Sequence, residues 1–193
     1  MKSNNIDSRQ KIINKSLDLF YNKGYKATGI NQLISESGVA KNTFYYHFPS
    51  KDDLCVAYLQ EMDRNWINSL KQKINQYKNP YDRLFAPIEF IKEYNIENNF
   101  RGCAFLNIAS EITDGMSDIR KEVAYHKDSF RSIIRGLLKD LKNSESKYSK
   151  LDISYLTDSY YIVVEGAITA GQSFQDAWPY DIAKKNLENL LNP

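Results

Sequence analysis

The stretch that decides the fold runs from residue 24 to residue 54 and reads GYKATGINQLISESGVAKNTFYYHFPSKDDL. It contains two short segments of helical character, 29–37 and 40–47, which are separated around Gly38 and Val39. Gly38 can adopt the positive φ that a sharp turn between two helices requires. Two short helices joined in this way are typical of a helix-turn-helix, whose second helix enters the major groove of DNA.

The second of these segments combines apolar anchors with polar residues. Phe44 and Phe48 are expected to anchor it to the neighbouring helices. Polar side chains and backbone N–H groups near a helix N-terminus are typical DNA contacts. Lys51 begins the next helix, where a cation opposes the helix dipole unless an anion such as phosphate lies nearby. The recognition residues predicted from the segment are Lys41, Asn42, Thr43, Tyr45, Tyr46 and His47.

The chain on either side keeps a helical pattern almost throughout. Before the stretch, apolar residues recur at helical spacing from Ile13 to Tyr21. After it, Ser50 and Asp53 form a capping box for a long helix. Only 8 Gly and 5 Pro occur in 193 residues, which favours long helices over a turn-rich β fold. The sequence predicts an all-α chain of about nine helices, the later ones near 81–96, 103–113, 117–141, 152–174 and 179–191.

Two domains are predicted from this pattern. Residues 1–50 form a three-helix DNA-binding domain, and residues 51–193 form a larger helical domain that begins with a connecting helix at 51–78. The polar segment 143–150 reads as a loop. Charge is consistent with this division, because residues 1–60 hold eight basic and five acidic side chains, whereas the remainder holds 18 and 19.

The overall composition excludes several classes of protein. The formal net charge of +2 is too small for a polybasic nucleic-acid binder. Cys55 and Cys103 lack metal-ligand spacing, so we expect reduced thiols, with no metal site, no cofactor and no catalytic site. The polar start from Met1 to Ile6 has no apolar signal core, and no apolar run is as long as a membrane span. A cytoplasmic protein without a membrane partner is therefore expected.

Residues 24–54 closely resemble the signature of the tetracycline-repressor (TetR) family of bacterial transcriptional regulators. The shared features are the Gly-aromatic pair, a capping Thr, the Gly-Val turn, a Tyr-rich helix ending in Phe, and a Ser-Lys-acidic start to the next helix. RGCAFLNIASEI, residues 101–112, is also similar to a segment found in one broad group of these regulators. The resemblance implies a repressor that binds a palindromic operator as a homodimer and is released by a small-molecule effector. It further implies that Thr28 and Lys51 hold phosphates.

The resemblance also assigns the remaining partners. The last two helices, near 152–174 and 180–191, would pair in a four-helix dimer interface, and small residues such as Gly166 and Ala170 would permit close approach. An ordinary core face is the alternative for that stripe. The predicted interface residues are Tyr160, Val163, Val164, Ala167, Ile168, Gly171, Leu187 and Leu190.

An effector pocket among the middle helices is the least specific expectation, because aromatic residues at helical spacing are more often plain core. A buried carboxylate at Glu111 or Glu165 would suit a cationic effector, but it could equally cap a helix or pair with Arg101 or Arg131. The candidate pocket residues are Phe85, Ile88, Phe105, Asn107, Glu111, His126, Phe130, Tyr161, Glu165 and Trp178.

Three other functions compete with this interpretation. An enzyme could use Cys103 as nucleophile, Glu111 as orienting residue and His126 as base, although their spacing is not diagnostic. A DNA-binding architectural factor on the same fold would lack an effector. An activator would differ from a repressor only in where its site lies relative to a promoter.

Overall fold

The computed structural model describes residues 7–113, 115 and 117–191, and every regular element within these ranges is a helix. The prediction of an all-helical chain with about nine helices is confirmed. No helix in these ranges is long and apolar enough to cross a membrane. The elements are α1 Ser8–Lys23, α2 Ile30–Ser37, α3 Lys41–His47, α4 Lys51–Ile74, α5 Pro80–Glu97, α6 Ala104–Glu111, α7 Asp118–Ser144, a 3₁₀ turn Ser146–Tyr148, α8 Ile153–Phe174 and α9 Trp178–Leu191.

Side-chain caps define where several helices begin. The predicted capping box before α4 is present, because the Asp53 N–H donates to Ser50 Oγ at 3.1 Å and the Ser50 N–H donates to the Asp53 carboxylate at 3.0 Å. Asn79 caps α5 by accepting from the Tyr81 N–H, and Asp152 caps α8 by accepting from the Tyr155 N–H. These caps satisfy N–H groups that have no partner within the helix.

The chain forms two compact units. The first comprises residues 1–65 and 104–125, and the second comprises residues 66–103 and 126–193, so α4 and α7 each begin in the first unit and end in the second. The predicted division after residue 50 differs from this one. Its physical origin is α4, a single continuous helix whose first part packs with the first unit. The assignment of separate roles to two domains remains a prediction.

The core of the first unit is built around aromatic rings. Phe20 of α1 lies 5.4 Å from Tyr25 and 5.3 Å from Tyr58 of α4, measured between ring centroids and in edge-to-face geometry. Leu33 of α2 and Phe44 of α3 are each 0% exposed, so both short helices are held by a fully buried apolar side chain. Burial of this size stabilises each contact by roughly 1.5–3 kcal/mol.

The second unit buries the inner face of α8 against α5 and α9. The Tyr160 hydroxyl donates to the backbone oxygen of Leu84 at 3.0 Å, and Gly171 lies so close to Tyr180 that an added Cβ would fall 2.7 Å from the Tyr180 hydroxyl. This interior includes most of the predicted dimer interface, which remains a prediction. Six of its eight residues are buried within the single chain: Tyr160, Val164, Ala167, Ile168, Gly171 and Leu187.

The outward face of α8 has a different character. Ile162 is 67% exposed, and Gly166, Thr169 and Ser173 follow it on the same face at helical spacing, all exposed. A Cβ added to Gly166 would meet open space, so no contact within the described chain requires glycine there. On α9, Ile182 is 50% exposed. This outward surface, which we call the α8–α9 face, comprises Ile162, Gly166, Thr169, Ser173 and Ile182.

Candidate DNA interface

The recognition helix α3 is anchored from one side and open on the other. Phe44 is fully buried, and its ring lies 6.2 Å from that of Phe48, which is 2% exposed. Lys41 and Asn42, at the N-terminal end of α3, are exposed. Tyr46 is 83% exposed, whereas Tyr45 is 40% exposed and packs its ring edge-to-face against Phe44. Thr43 and His47 are half-buried.

Gly38 sets the angle between α2 and α3. It ends α2 in the left-handed region, with φ 66° and ψ 27°, and its N–H donates to the backbone oxygen of Ser35. A side chain at this position would be strained by the backbone conformation alone, since an added Cβ would meet no atom within 4 Å. The predicted helix-turn-helix is therefore present, with its glycine where the turn requires one.

Thr28 has a role that differs from the prediction. Its side chain is 0% exposed, and its hydroxyl donates to the backbone oxygen of Gly24 at 2.8 Å. A phosphate cannot reach a hydroxyl that is buried and already bonded. Thr28 also does not cap α2, which begins after Gly29 without a side-chain cap. Its hydroxyl instead fixes the turn between α1 and α2.

Lys51 stabilises the same turn. Its ammonium group donates to the backbone oxygens of Tyr25 at 3.0 Å and Thr28 at 3.2 Å, and it lies 4.2 Å from the centre of the Tyr25 ring. These contacts explain a cation in the first turn of α4 without a phosphate. The Tyr25 hydroxyl donates to Asp52. Burial and the neighbouring Asp52 carboxylate raise the pKa of Tyr25, so its hydroxyl stays protonated.

Glu111 binds the other side of this turn. Its carboxylate accepts from the backbone N–H groups of Tyr25 at 3.1 Å and Lys26 at 2.6 Å. Gly24 has φ 94°, and an added Cβ there would lie 3.0 Å from the carboxylate. Glu111 therefore binds the N–H groups of this short irregular segment, and Lys51 binds its carbonyl groups. This network fixes the point from which α2 and α3 extend.

Comparison with known proteins finds a family match in the first part of the chain and a fold match over most of it. Residues 12–58 match the family model described as "Bacterial regulatory proteins, tetR family". Over 92 residues the chain is 35% identical to the HTH-type transcriptional regulator LmrA of Bacillus subtilis, and this match covers 47% of each protein. The fold resembles that of SCO4454, a TetR-family regulator from Streptomyces coelicolor, with a TM-score of 0.81 and 24% identity over 96% of this chain and 94% of that one. Residues 12–58 thus match the tetR family of bacterial regulators, and the whole chain has the fold of solved TetR-family structures.

The curated relatives match only part of the chain, whereas the solved structures match nearly all of it. An uncharacterised HTH-type regulator from Lactococcus lactis is 28% identical over 117 residues, 60% of each protein. The chain thus spans about half the length of the curated relatives it matches. A regulatory protein TetR from Rhodobacter sphaeroides shares the fold at a TM-score of 0.81 and 21% identity, over 95% of this chain and 98% of that one. These structural neighbours establish the fold of the remainder.

The structure divides the ten predicted pocket residues between the two units. Phe105, Asn107 and Glu111 belong to the first, and the other seven belong to the second. Glu111 accepts from the α1–α2 turn, and Glu165 pairs with Lys127 at 2.6 Å. Arg131 pairs with Asp128 at 3.0 Å and with Asp158 at 2.5 Å.

The remaining pocket candidates have various surroundings. Trp178 is 47% exposed and contacts Phe174, and the His126 ring packs 5.0 Å from that of Trp66. Ile88 lines a pocket of about 310 Å³ that Glu89, Lys92, Tyr180, Asp181 and Lys184 also line. Phe85, Phe105 and Phe130 are buried as core, and Tyr161 and Asn107 are half-buried. A pocket built from all ten residues remains a prediction, and its binding role is untested.

In the hypothesis of a catalytic triad, Glu111 was the orienting residue, but the structure shows it bonded elsewhere. Glu111 is bonded to two backbone N–H groups, and Cys103 contacts Lys127 at 3.4 Å between Sγ and Nζ. Among the described residues no group of three or more His, Cys, Asp or Glu side chains could hold a metal ion.

Sequence reasoning missed the structural roles of Glu111 and Lys51. Glu111 lies 86 residues beyond Tyr25 in the chain, so no local pattern connects the two. Lys51 offered one signal, its unfavourable place in the helix dipole, and in this structure two backbone carbonyls accept from its ammonium group. The outward α8–α9 face carried a clearer signal, since Ile162 is an apolar residue off the inner stripe.

Proposed function

We propose that this protein is a tetR-family repressor that binds a palindromic operator as a homodimer in the cytoplasm, where the DNA lies. The observation that carries the proposal is α3, a short helix fixed by buried Phe44 that leaves Lys41, Asn42 and Tyr46 open to a partner. Lysine and asparagine read base edges or bind phosphates, and tyrosine binds the backbone. This is the chemistry that a helix in the major groove requires.

The homodimer rests on the α8–α9 face. Two half-sites about one helical turn apart need two recognition helices with a fixed separation. Ile162 and Ile182 are exposed apolar side chains, and Gly166, one turn after Ile162, has open space where a side chain would lie. Such a surface suits a symmetric pair of helices from two copies of the chain. We assign the interface to this face in place of the inner stripe predicted from the sequence.

Release by a small molecule completes the proposal. An effector that binds more tightly to the DNA-free state weakens operator binding, and the operator weakens effector binding by the same factor. The chemical class of the effector is not specified by the pocket candidates, because they are divided between the two units. We propose that such a change acts on the α1–α2 turn, which Glu111 and Lys51 hold.

Substitutions on α3 test the DNA contact directly. We expect Asn42→Ala to weaken binding to a selected duplex by about 1–3 kcal/mol and to relax base preference at one position in each half-site. Tyr46→Ala should weaken binding to all sequences alike. Tyr125→Ala is the matched control, since Tyr125 is 62% exposed but lies on α7. Fluorescence anisotropy at fixed salt gives the affinities, and equal affinity for all four proteins would contradict the assignment.

A further inference from the structure

Arg9 lies near the start of α1, and its positive charge has no partner in the part of the chain that the structure describes. Its side chain is exposed, and within residues 7–113, 115 and 117–191 no hydrogen bond or ion pair engages its guanidinium group. Two other cations of α1 are paired, since Lys15 lies 3.3 Å and Lys23 lies 3.9 Å from the Glu36 carboxylate. The guanidinium group of Arg9 therefore offers N–H donors that no acceptor in these ranges uses.

A stacking contact with Phe48 determines where this group lies. The guanidinium carbon of Arg9 is 5.3 Å from the centre of the Phe48 ring. Phe48 is 2% exposed, its ring lies 6.2 Å from that of Phe44, and its N–H donates to the Phe44 backbone oxygen at 2.8 Å. Because the ring is held at the end of α3, the guanidinium group that stacks on it is held there as well.

The ring contacts continue from Phe48 to the face of α3 that is open to a partner. The ring of Phe48 lies 6.5 Å from that of His47, and the ring of His47 lies 5.1 Å from that of Tyr46. Tyr46 is 83% exposed, so a continuous row of contacts joins the Arg9 guanidinium group to the exposed face. Lys41 lies at the other end of α3, about 9 Å of helix away from His47. Arg9 and Lys41 are therefore cations at opposite ends of the recognition helix.

The chemistry of a stacked arginine favours a phosphate group as its partner. The guanidinium group is planar, and its paired N–H groups match two oxygens of one phosphate. The aromatic ring beneath it restricts its motion, so less conformational freedom is lost on binding. A helix in the major groove places its own side chains against the base edges. Arg9 belongs to a different helix, so the acceptor expected for it is the sugar–phosphate backbone beside the groove.

We propose that Arg9 is an additional DNA contact, which binds one phosphate of the operator beside the C-terminal end of α3. The inference rests on the proposed function, since it requires α3 to lie in the major groove. A phosphate contact carries no sequence information, so Arg9 adds affinity and orients α3 without selecting bases. Together with Lys41, it holds the recognition helix against DNA at both ends.

The test measures the affinity of the full-length protein for two fluorescein-labelled duplexes, one enriched by selection and one of scrambled sequence, by anisotropy at several salt concentrations. Arg9→Met keeps an unbranched side chain over Phe48 but removes the charge. It should weaken binding to both duplexes by at least about fivefold at low salt. The dependence of log affinity on log salt should become shallower by about one unit for each bound subunit. Arg135→Met, which removes an exposed arginine from α7, is the matched control and should change neither quantity.

Two further variants distinguish a phosphate contact from support of the Phe48 ring. Arg9→Lys should keep the salt slope, because it keeps the charge, but should lose part of the affinity, because an ammonium group lacks the planar pair of donors. Arg9→Met combined with Lys41→Met should change the slope by the sum of the two single changes, since the two cations bind different phosphates. The urea midpoint of Arg9→Met should equal that of the wild type.

The outcomes separate this inference from the proposed function. An unchanged salt slope in Arg9→Met would overturn the phosphate contact, as would an equal change in Arg135→Met. Weaker binding with a lower urea midpoint and an unchanged slope would show that Arg9 only supports the Phe48 ring. A selection that enriches no sequence would refute the operator-binding repressor, whereas a shallower slope for Arg9→Met on the scrambled duplex would still support the contact. A wild type that binds neither duplex would overturn both proposals.

Discussion

At the scale of single residues, the α1–α2 turn is held by side chains that bond to backbone atoms. Lys51 satisfies two carbonyls, Glu111 satisfies two N–H groups, and the buried Thr28 hydroxyl satisfies a third carbonyl. The backbone groups of an irregular segment lack the regular hydrogen bonds of a helix or sheet. Each of these side-chain bonds therefore replaces one that secondary structure would supply. These side chains therefore hold the turn from which α2 begins.

Substitutions of Lys51 and Lys41 should distinguish a residue that holds the α1–α2 turn from one that contacts DNA. We expect Lys51→Met to lower the free energy of unfolding by about 1–2 kcal/mol, because two carbonyls lose a charged donor. The dependence of log affinity on log salt should keep its slope. Lys41→Met, which removes an exposed cation from α3, should leave stability unchanged and make that slope shallower by about one unit. Urea unfolding and binding titrations at several salt concentrations measure both effects.

The opposite result for Lys51→Met would support a phosphate contact for this residue. A shallower slope with unchanged stability in Lys51→Met would show that its ammonium group binds DNA and that its carbonyl contacts are incidental.

At the scale of elements, periodicity and turn residues predicted most of the helices, because both are local properties of the chain. α2, α3 and α8 lie within one residue of the predicted 29–37, 40–47 and 152–174. The face that each helix buries was harder to predict. On α8 both the inner stripe of Tyr160 and Val164 and the outward Ile162 are apolar, and only the packing of α5 and α9 decides which is core.

Gly38 should be the most sensitive glycine of the helix-turn-helix. We expect Gly38→Ala to destabilise the protein by about 1–2 kcal/mol, because alanine disfavours the left-handed conformation even where space is open. Gly29→Ala is the matched control, since its φ of −83° is ordinary and its Cβ would also meet no neighbour. Its unfolding free energy should change by less than about 0.5 kcal/mol. Equal losses in urea unfolding of the two variants would contradict the role assigned to Gly38.

At the scale of the whole molecule, the site joins residues that are distant in sequence. The signature at 24–54 could be recognised because its parts follow one another, whereas Glu111 reaches the turn only through the fold. Which of the predicted pocket residues share a pocket could not be predicted from the sequence, for a related reason. Aromatic residues at helical spacing look the same whether they fill a core, as Phe130 does, or remain on the surface, as Trp178 does.

The α8–α9 face should control assembly. We expect Ile162→Glu combined with Ile182→Glu to yield monomers with much weaker operator binding, because a buried unpaired carboxylate is costly at a helix pair. Ile96→Glu is the control, as Ile96 is 46% exposed on α5. Sedimentation equilibrium distinguishes the species. A double variant that stays dimeric would show that the interface lies elsewhere.

The most direct test of the central claim is a selection of random duplex DNA on the purified protein at fixed salt, followed by sequencing of the bound pool. A dimeric operator-binding regulator predicts an enriched inverted repeat whose half-sites lie about one helical turn apart, with preference lost at one position per half-site in Asn42→Ala. A pool that shows no enriched sequence, with only general salt-sensitive binding, would contradict it.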